Sequence, residues 1–117
     1  MLKVYLHPRC STCQKAREFL TSHRLHWDEV DITQRPPGKR ELQQVLRAYQ
    51  EDIRKLFNTS GMQYRDLGLK DKLPSMRTQD AIELLSKNGM LVKRPFVVFD
   101  HAGLVGFQEK AWRTALL

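Results

Sequence analysis

The sequence predicts an α/β fold: a mixed sheet of about four strands with a helical insertion. Three observations predict it. A strand–helix–strand unit opens the chain, a helix-rich stretch fills the middle, and two apolar strands and a helix close it. The 117 residues fit one domain, 1–117, with the helical insertion at about 39–90. Hydrophobic residues make up 41% of the chain and charged residues 28%, which is typical of a globular protein.

The opening unit begins with a strand over residues 2–6, where apolar and polar residues alternate. His7-Pro8-Arg9 ends this strand, because proline cannot donate a hydrogen bond to a sheet ladder. A helix is then predicted from the cysteine motif to about Ser22, and strand formers over 27–32 predict a second strand. Strand, helix and strand at this spacing indicate a βαβ unit.

The middle of the chain is predicted to be helical. One apolar stripe recurs at helical spacing in Leu42, Val45, Leu46 and Tyr49. We expect Asp52 to cap a further helix that carries Ile53 and Phe57. Another helix begins at Thr78, and Gly89 is expected to end it, since a left-handed glycine is common at that position.

The last third returns to sheet. Residues 96–99 are an apolar run that suits a central strand buried on both faces, 100–103 form a hairpin connection, and 104–107 form the returning strand. Residues 108–117 are predicted as a closing helix. Without the insertion, the order is βαβ followed by ββα, which is the thioredoxin plan.

The net charge of the chain indicates which kinds of molecule it could bind. A net charge of +7 indicates attraction to acidic surfaces or anionic substrates. The sequence has no aromatic-interleaved basic stripe, so we expect no direct binding of nucleic acid. It has no apolar run near the roughly 18 residues of a membrane helix and no signal-peptide pattern at its start. We therefore expect a cytoplasmic monomer that does not bind membranes.

Cys10 and Cys13 are the only cysteines, and they are spaced C-x-x-C where the first strand gives way to a helix. The first turn of a helix has unpaired N–H groups and a partial positive charge, which stabilise a thiolate. Cys10 would be the exposed, attacking sulfur, with Arg9 and Lys15 adding positive charge. Cys13, one turn further in, would resolve a mixed disulfide on Cys10.

The spacing of the cysteine pair is also compatible with three roles outside redox chemistry. A structural disulfide is disfavoured in a reducing compartment. Zinc needs four ligands and only His7 lies near the pair in sequence, so we expect no metal. Two inert cysteines on one helix would give the same spacing. We adopt a redox motif, as C-x-x-C beside a βαβ unit predicts. His7 could donate a proton to Cys10 or orient it, but we favour its interpretation as an exposed loop residue.

Arg94-Pro95 is the second candidate site. Proline suits the first residue of a strand, and in the thioredoxin plan a cis-proline at this place faces the cysteines. A trans proline beside a surface arginine is the alternative, and the sequence leaves it open. Near the thiols, the planar guanidinium of Arg94 could bind an oxyanion or a carboxylate.

With these residues placed, the chain resembles the ArsC/Spx family over nearly its whole length. Four segments carry the resemblance: residues 5–13, 56–61, 64–69 and 93–95. It implies a thioredoxin-like fold with a helical insertion. We expect Cys10 and Cys13 to be catalytic. The expected substrate-binding residues are Ser11, Thr12, Arg94 and Pro95.

Two family activities divide the functional options. ArsC arsenate reductases attack arsenate with one cysteine, hold the oxyanion with several arginines, and use glutathione and glutaredoxin. By resemblance, Cys10 and Arg94 match that cysteine and one of those arginines. Three other family arginines correspond here to Gln14, Asn58 and Phe107. Each lost charge-assisted hydrogen bond should weaken oxyanion binding by roughly 1.5–3 kcal/mol.

Spx-type regulators carry C-x-x-C at the same position as a redox switch, and they bind the C-terminal domain of the RNA polymerase α subunit. The resemblance therefore implies two alternatives. The first is a thiol–disulfide oxidoreductase that resembles arsenate reductases. It would have no bound cofactor and would use thioredoxin, glutaredoxin or glutathione as reductant. The second is a redox-sensing regulator that binds RNA polymerase.

Overall fold

The computed structural model describes residues 2–117 and contains a four-stranded mixed sheet. Its strands are β1 (Leu2–Leu6), β2 (Asp28–Asp31), β3 (Phe96–Phe99) and β4 (Ala102–Val105), in the order β2-β1-β3-β4. β1 pairs in parallel with β2 and antiparallel with β3, and β3 pairs antiparallel with β4. The predicted mixed sheet of about four strands is confirmed.

Helices connect these strands. They are α1 (Ser11–Ser22), α2 (Lys39–Ala48), α3 (Met62–Asp66), α4 (Leu69–Lys72), α5 (Thr78–Lys87) and α6 (Glu109–Leu116). Short 3-10 turns occur at Ile53–Leu56, Leu73–Ser75 and Gly89–Leu91. The segment between β2 and β3 holds α2 to α5 and all three of these turns. Within residues 2–117, every helix is too short or too polar to cross a bilayer.

The two faces of the sheet carry separate apolar clusters. Val4 and Leu6 of β1 pack with buried residues of α1 and with Trp112 of α6. The intervening Tyr5 points to the opposite face, where it joins Leu42 of α2 and other buried residues of the inserted helices. This alternation follows from the two-residue period of a strand. The start of α1 is thereby fixed against one face of the sheet.

The prediction of a helix capped by Asp52 is wrong in two respects. Residues Ile53–Leu56 form only a 3-10 turn, and the Asp52 side chain does not cap it. Phe57 instead forms an isolated antiparallel bridge with Val92. The Asn58 N–H donates to Leu91 O at 2.7 Å, and the Lys93 N–H donates to Leu56 O at 2.8 Å. These long-range bonds hold the chain extended where local preference favours a helix.

Gly89 does not adopt the predicted left-handed conformation. Helix α5 ends at Lys87 and is followed by the capping residue Asn88, whose φ is −139°, and Gly89 opens the next 3-10 turn. Gly89 is buried, and a Cβ atom built on it would lie 2.0 Å from the carbonyl oxygen of Ile32. This position requires glycine because two backbone segments pack directly against each other there.

The strand boundaries in the last third also differ from the prediction. β4 begins at Ala102, so the connection from β3 consists of Asp100 and His101 alone. Gly103 indicated a turn in the sequence but lies inside the strand. A Cβ atom there would approach Cγ2 of Val45 to 2.4 Å, so this glycine lets α2 pack closely on β4. The predicted second strand is also shorter than expected, covering Asp28–Asp31.

Candidate functional site

Cys10 is the residue immediately before α1. Its backbone is extended, with φ −91° and ψ 125°, and its carbonyl oxygen accepts the first helical hydrogen bond from the Gln14 N–H at 3.0 Å. The side chain is half-buried. Cys13 lies in the first turn and is completely buried. The fold therefore places one accessible and one buried thiol at the N-terminus of α1.

The Cys10 sulfur has several groups that stabilise its anion. Burial raises the pKa of this thiol, but opposing interactions outweigh it and leave the pKa below its ordinary value. These interactions come from the backbone and thiol of Cys13, the backbone of Thr12 and the guanidinium of Arg94. Backbone donors at a helix start act on a thiolate in this way.

The pKa of Cys13 shifts in the opposite direction. Burial is the main cause, and it raises the pKa of this thiol to about 11. The negative charge on Cys10 raises it further, while a hydrogen bond from the backbone of His7 lowers it. Cys13 also packs within the apolar cluster that includes Phe19 and Trp112. The two shifts have opposite signs, so Cys10 ionises more readily than Cys13.

Arg94 lies at the cysteine pair, and Pro95 follows it at the entrance to β3. The Arg94–Pro95 peptide bond is cis, and Pro95 is buried. The half-buried guanidinium of Arg94 interacts with Cys10, and its Nη1 donates to the Met90 sulfur at 3.9 Å. The sequence analysis did not single out Met90. Its spacing of four residues from Arg94 carries no motif that would have identified it.

His7 belongs to the site, contrary to its interpretation as an exposed loop residue. It is half-buried, and its backbone N–H donates to the Cys13 sulfur at 3.4 Å. Its Nδ1 accepts a hydrogen bond from the Arg9 N–H at 3.0 Å. Burial lowers the pKa of the His7 imidazole, and the positive charges of Arg94 and Arg9 lower it further, against an opposing effect of Asp31. The surroundings of His7 therefore favour its neutral imidazole.

The remaining candidate residues surround Cys10 at different depths. Ser11 is exposed and Thr12 is half-buried. Their predicted contacts with substrate stay predictions. Arg9 and Lys15 are exposed, and the cation that interacts directly with Cys10 is Arg94.

The three positions without the family arginine differ in their surroundings. Gln14 is exposed, and Asn58 is half-buried beside Gly61. Phe107 packs edge-on against Phe19 and Trp112, with ring centroids 5.8 and 5.0 Å apart. Phe107 therefore contributes to packing between α1 and α6 and brings no positive charge to the site.

The side chains around Cys10 are suited to thiol chemistry. Across residues 2–117, no three His, Cys, Asp or Glu side chains come close enough together to hold a metal ion. The site offers an accessible sulfur of lowered pKa, a second sulfur behind it, and a guanidinium beside the first. Such an arrangement is suited to attack on a sulfur and then to closure of a disulfide.

Comparison with known proteins gives matches over nearly the whole chain. The model of the ArsC family matches residues 5–115. YusI, an uncharacterized protein of Bacillus subtilis, is 43% identical over 108 residues, which cover 92% of both chains. The global transcriptional regulator Spx of Enterococcus faecalis is 31% identical over 117 residues, covering 99% of this chain and 86% of Spx. An ArsC family related protein of Bacteroides fragilis has a similar structure, with a TM-score of 0.91 and 38% identity, covering 97% and 95% of the two chains.

Proposed function

Because the chain belongs to the ArsC family, we propose that it is a thiol–disulfide oxidoreductase in which Cys10 attacks and Cys13 resolves. The observation that carries the proposal is the difference between the two thiols. Cys10 is half-buried with a lowered pKa, whereas Cys13 is completely buried with its pKa raised to about 11. Thiol–disulfide exchange needs one accessible thiolate and one thiol held in reserve.

The first step is attack by the Cys10 thiolate on one sulfur of a substrate disulfide. A bond forms between Cys10 and that sulfur, the substrate S–S bond breaks, and the other substrate sulfur leaves as a thiolate that takes up a proton. Arg94 faces the developing mixed disulfide from the side of β3. Its guanidinium offers several N–H donors to anionic groups of the substrate.

The second step depends on the charge that the first step removes. The Cys10 anion contributes to the high pKa of Cys13, and a mixed disulfide carries no such charge. The pKa of Cys13 therefore falls once Cys10 is occupied, so that Cys13 can lose its proton and attack the Cys10 sulfur. The Cys10–Cys13 disulfide forms and the second substrate sulfur leaves. Two electrons pass from the protein to the substrate.

The cycle closes when an external dithiol or glutathione reduces the Cys10–Cys13 disulfide. Thioredoxin, glutaredoxin and glutathione are the reductants that we propose. They are abundant in the cytoplasm, which is the compartment that this reaction fits. The substrate-facing surface in the proposal consists of Ser11, Thr12, Arg94 and Pro95.

Reduction of 2-hydroxyethyl disulfide tests the proposal. We expect the wild type to turn over with a thioredoxin system, Cys10→Ser to be inactive, and Cys13→Ser to accumulate a mixed disulfide on Cys10 that mass spectrometry detects. Turnover that survives Cys10→Ser would remove Cys10 as the nucleophile. Failure to trap a mixed disulfide in Cys13→Ser would remove Cys13 as the resolving thiol.

A second candidate function follows from the similarity to Spx, which extends over 99% of this chain. Here the Cys10–Cys13 pair would sense oxidants and change a surface that binds the C-terminal domain of the RNA polymerase α subunit. Size-exclusion chromatography of the protein with that purified domain, reduced and oxidised, distinguishes the two. A complex that depends on the redox state would support the regulator, and its absence in both states would exclude it.

A further inference from the structure

A groove of about 470 Å³ lies outside the cysteine site. It is bounded by the end of α2, by the 3-10 turn Ile53–Leu56, and by the segments that enter β3 and leave β4. We call this the basic groove. Its polar and charged lining includes Asp52, Arg54, Lys55, Thr59, Lys93 and Gln108.

The cations of the basic groove form no ion pair within residues 2–117, although Lys55 Nζ also lies 5.8 Å from the ring centroid of Tyr49. Arg54, Lys55 and Lys93 face a single acidic lining residue, Asp52. Six other basic residues form ion pairs, namely Lys3, Arg17, Lys39, Arg77, Lys87 and Arg113. Among the ion pairs of residues 2–117, none involves a cation of the groove. The groove therefore keeps an excess of positive charge.

The edge of β4 that borders the groove is already hydrogen-bonded within the protein. The Val105 N–H donates to the Tyr49 hydroxyl oxygen at 3.0 Å, and Gln44 Nε2 donates to the carbonyl oxygen of Ala102 at 2.9 Å. At the groove, the Tyr49 hydroxyl thus occupies the edge N–H of Val105 that another backbone would need, while the Ala102 bond lies at the other end of β4. A ligand in the basic groove must consequently be recognised by side chains. Thr59 and Gln108, both exposed, supply neutral hydrogen-bonding groups beside the cations.

The basic groove adjoins the proposed active site through the chain itself. Lys93 lines the groove and is followed directly by Arg94, which interacts with Cys10. A polypeptide whose disulfide reached Cys10 would therefore have neighbouring residues near the groove. We infer that the basic groove binds an acidic segment beside the disulfide of a protein substrate. This inference rests on the proposed oxidoreductase function and names its substrate class.

Nucleic acid suits the basic groove less well than an acidic polypeptide. Single strands bind to exposed aromatic rings as well as to positive charge. Phe57 is buried, and Tyr49 is half-buried, with its hydroxyl bonded to β4 and Lys55 Nζ lying 5.8 Å from its ring centroid. Neither ring is free to stack on a base.

The test uses short fluorescein-labelled peptides that differ only in their flanks, which carry Asp and Glu in one and Asn and Gln in the other. A central Ser replaces Cys for binding measurements by anisotropy, and a central Cys joined to thionitrobenzoate serves for exchange rates. The variant is Arg54→Glu/Lys55→Glu, which alters two exposed side chains on the groove. The matched control, Arg40→Glu/Arg65→Glu, makes the same change of charge at two exposed sites outside it.

We expect the acidic peptide to bind the wild type more tightly than the neutral peptide at low salt. Its affinity and its exchange rate should fall about tenfold in the groove variant and less than twofold in the control. Exchange with 2-hydroxyethyl disulfide should be equal in all three proteins. Equal binding of the two peptides, an equal loss in the control, or tighter binding of a single-stranded oligonucleotide at the groove would overturn the inference.

The design separates this inference from the proposed function. The serine peptides report on binding without any thiol chemistry. If the wild type fails to exchange with 2-hydroxyethyl disulfide, the oxidoreductase proposal fails, while the anisotropy data still decide whether the groove selects acidic segments. If exchange proceeds but the groove variant behaves like the wild type, only the groove inference fails.

Discussion

The guanidinium of Arg94 interacts with the sulfur of Cys10, although the two residues come from opposite ends of the chain. The pairing of β1 with β3 brings them together, because Cys10 follows β1 and Arg94 precedes β3 in an antiparallel arrangement. The Met90 sulfur accepts a hydrogen bond from the same guanidinium. The fold thus supplies a cation to the thiolate that the local sequence around Cys10 does not contain.

Replacing this cation should raise the pKa of Cys10. The hydrogen bond from Arg94 favours the thiolate, so Arg94→Leu favours the neutral thiol and reduces the thiolate fraction at neutral pH. We expect alkylation by iodoacetamide at pH 7 to slow about tenfold, the size of one charge-assisted hydrogen bond. The two rates should converge at a pH above both pKa values. The measurement is the pH dependence of the alkylation rate.

Lys15→Leu is the matched control, since it removes an equal charge from the exposed surface of α1. We expect it to change the alkylation rate less than twofold. If Lys15→Leu slows the reaction as much as Arg94→Leu does, the loss of any nearby positive charge explains the slower reaction. The hydrogen bond between Arg94 and the Cys10 sulfur would then have no specific effect.

Arsenate should be a poor substrate. Gln14, Asn58 and Phe107 stand where the resemblance places three arginines, and Phe107 packs against Phe19 and Trp112. With Arg94 as the remaining match, a multiply charged oxyanion lacks most of its partners. In a coupled assay with glutathione and glutaredoxin, we expect arsenate-dependent oxidation of NADPH no faster than that of Cys10→Ser. Cys10-dependent reduction of arsenate would contradict this.

Local patterns predicted the sheet and the position of the cysteine motif at a helix start well. Alternation in residues 2–6, the apolar run in 96–99 and the cysteine spacing each reflect a short stretch of chain, and the structure places β1, β3 and α1 accordingly. The failures involve long-range contacts. Phe57 leaves its predicted helix to bridge Val92, and Gly103 lies in a strand because α2 packs on it. The positions of His7 and Met90 at the site likewise depend on the folded chain.

Gly89→Ala should destabilise the protein strongly. The added methyl group would lie 2.0 Å from the Ile32 carbonyl oxygen, and a backbone atom cannot move aside as a flexible side chain can. We expect the free energy of unfolding to fall by about 2–4 kcal/mol in urea denaturation. Gly38→Ala is the control, because its Cβ atom meets nothing within 4 Å. Its loss should be below about 1 kcal/mol. Equal stability of the two variants would contradict the packing at Gly89.

Glu41 should make stability depend on pH. Burial raises the pKa of this carboxyl group, but hydrogen bonds from Tyr5 and Lys3 outweigh burial and hold the pKa below its ordinary value of 4.5. A lowered folded-state pKa contributes stability above pH 4.5 that is lost as the pH falls through the folded-state value. We therefore expect Glu41→Gln to be less stable than the wild type near pH 7, with the difference shrinking as the pH falls below 4.5.

Urea denaturation across this pH range measures the Glu41 effect. Glu18→Gln serves as the control, since Glu18 is exposed on α1. Its difference from the wild type should be small and nearly independent of pH. A Glu41→Gln difference that stays constant from pH 7 to pH 3 would show that the carboxylate does not provide the stability.

The ionisation of the two thiols is the most direct test of the proposed chemistry. Iodoacetamide alkylation of the reduced wild type, followed by mass spectrometry at each pH, reports on Cys10 and Cys13 separately. We predict that Cys10 reacts first, with a midpoint below that of free cysteine, and that Cys13 stays unmodified until Cys10 has reacted. Equal midpoints at the value of free cysteine, or earlier ionisation of Cys13, would contradict the assignment of Cys10 as the nucleophile.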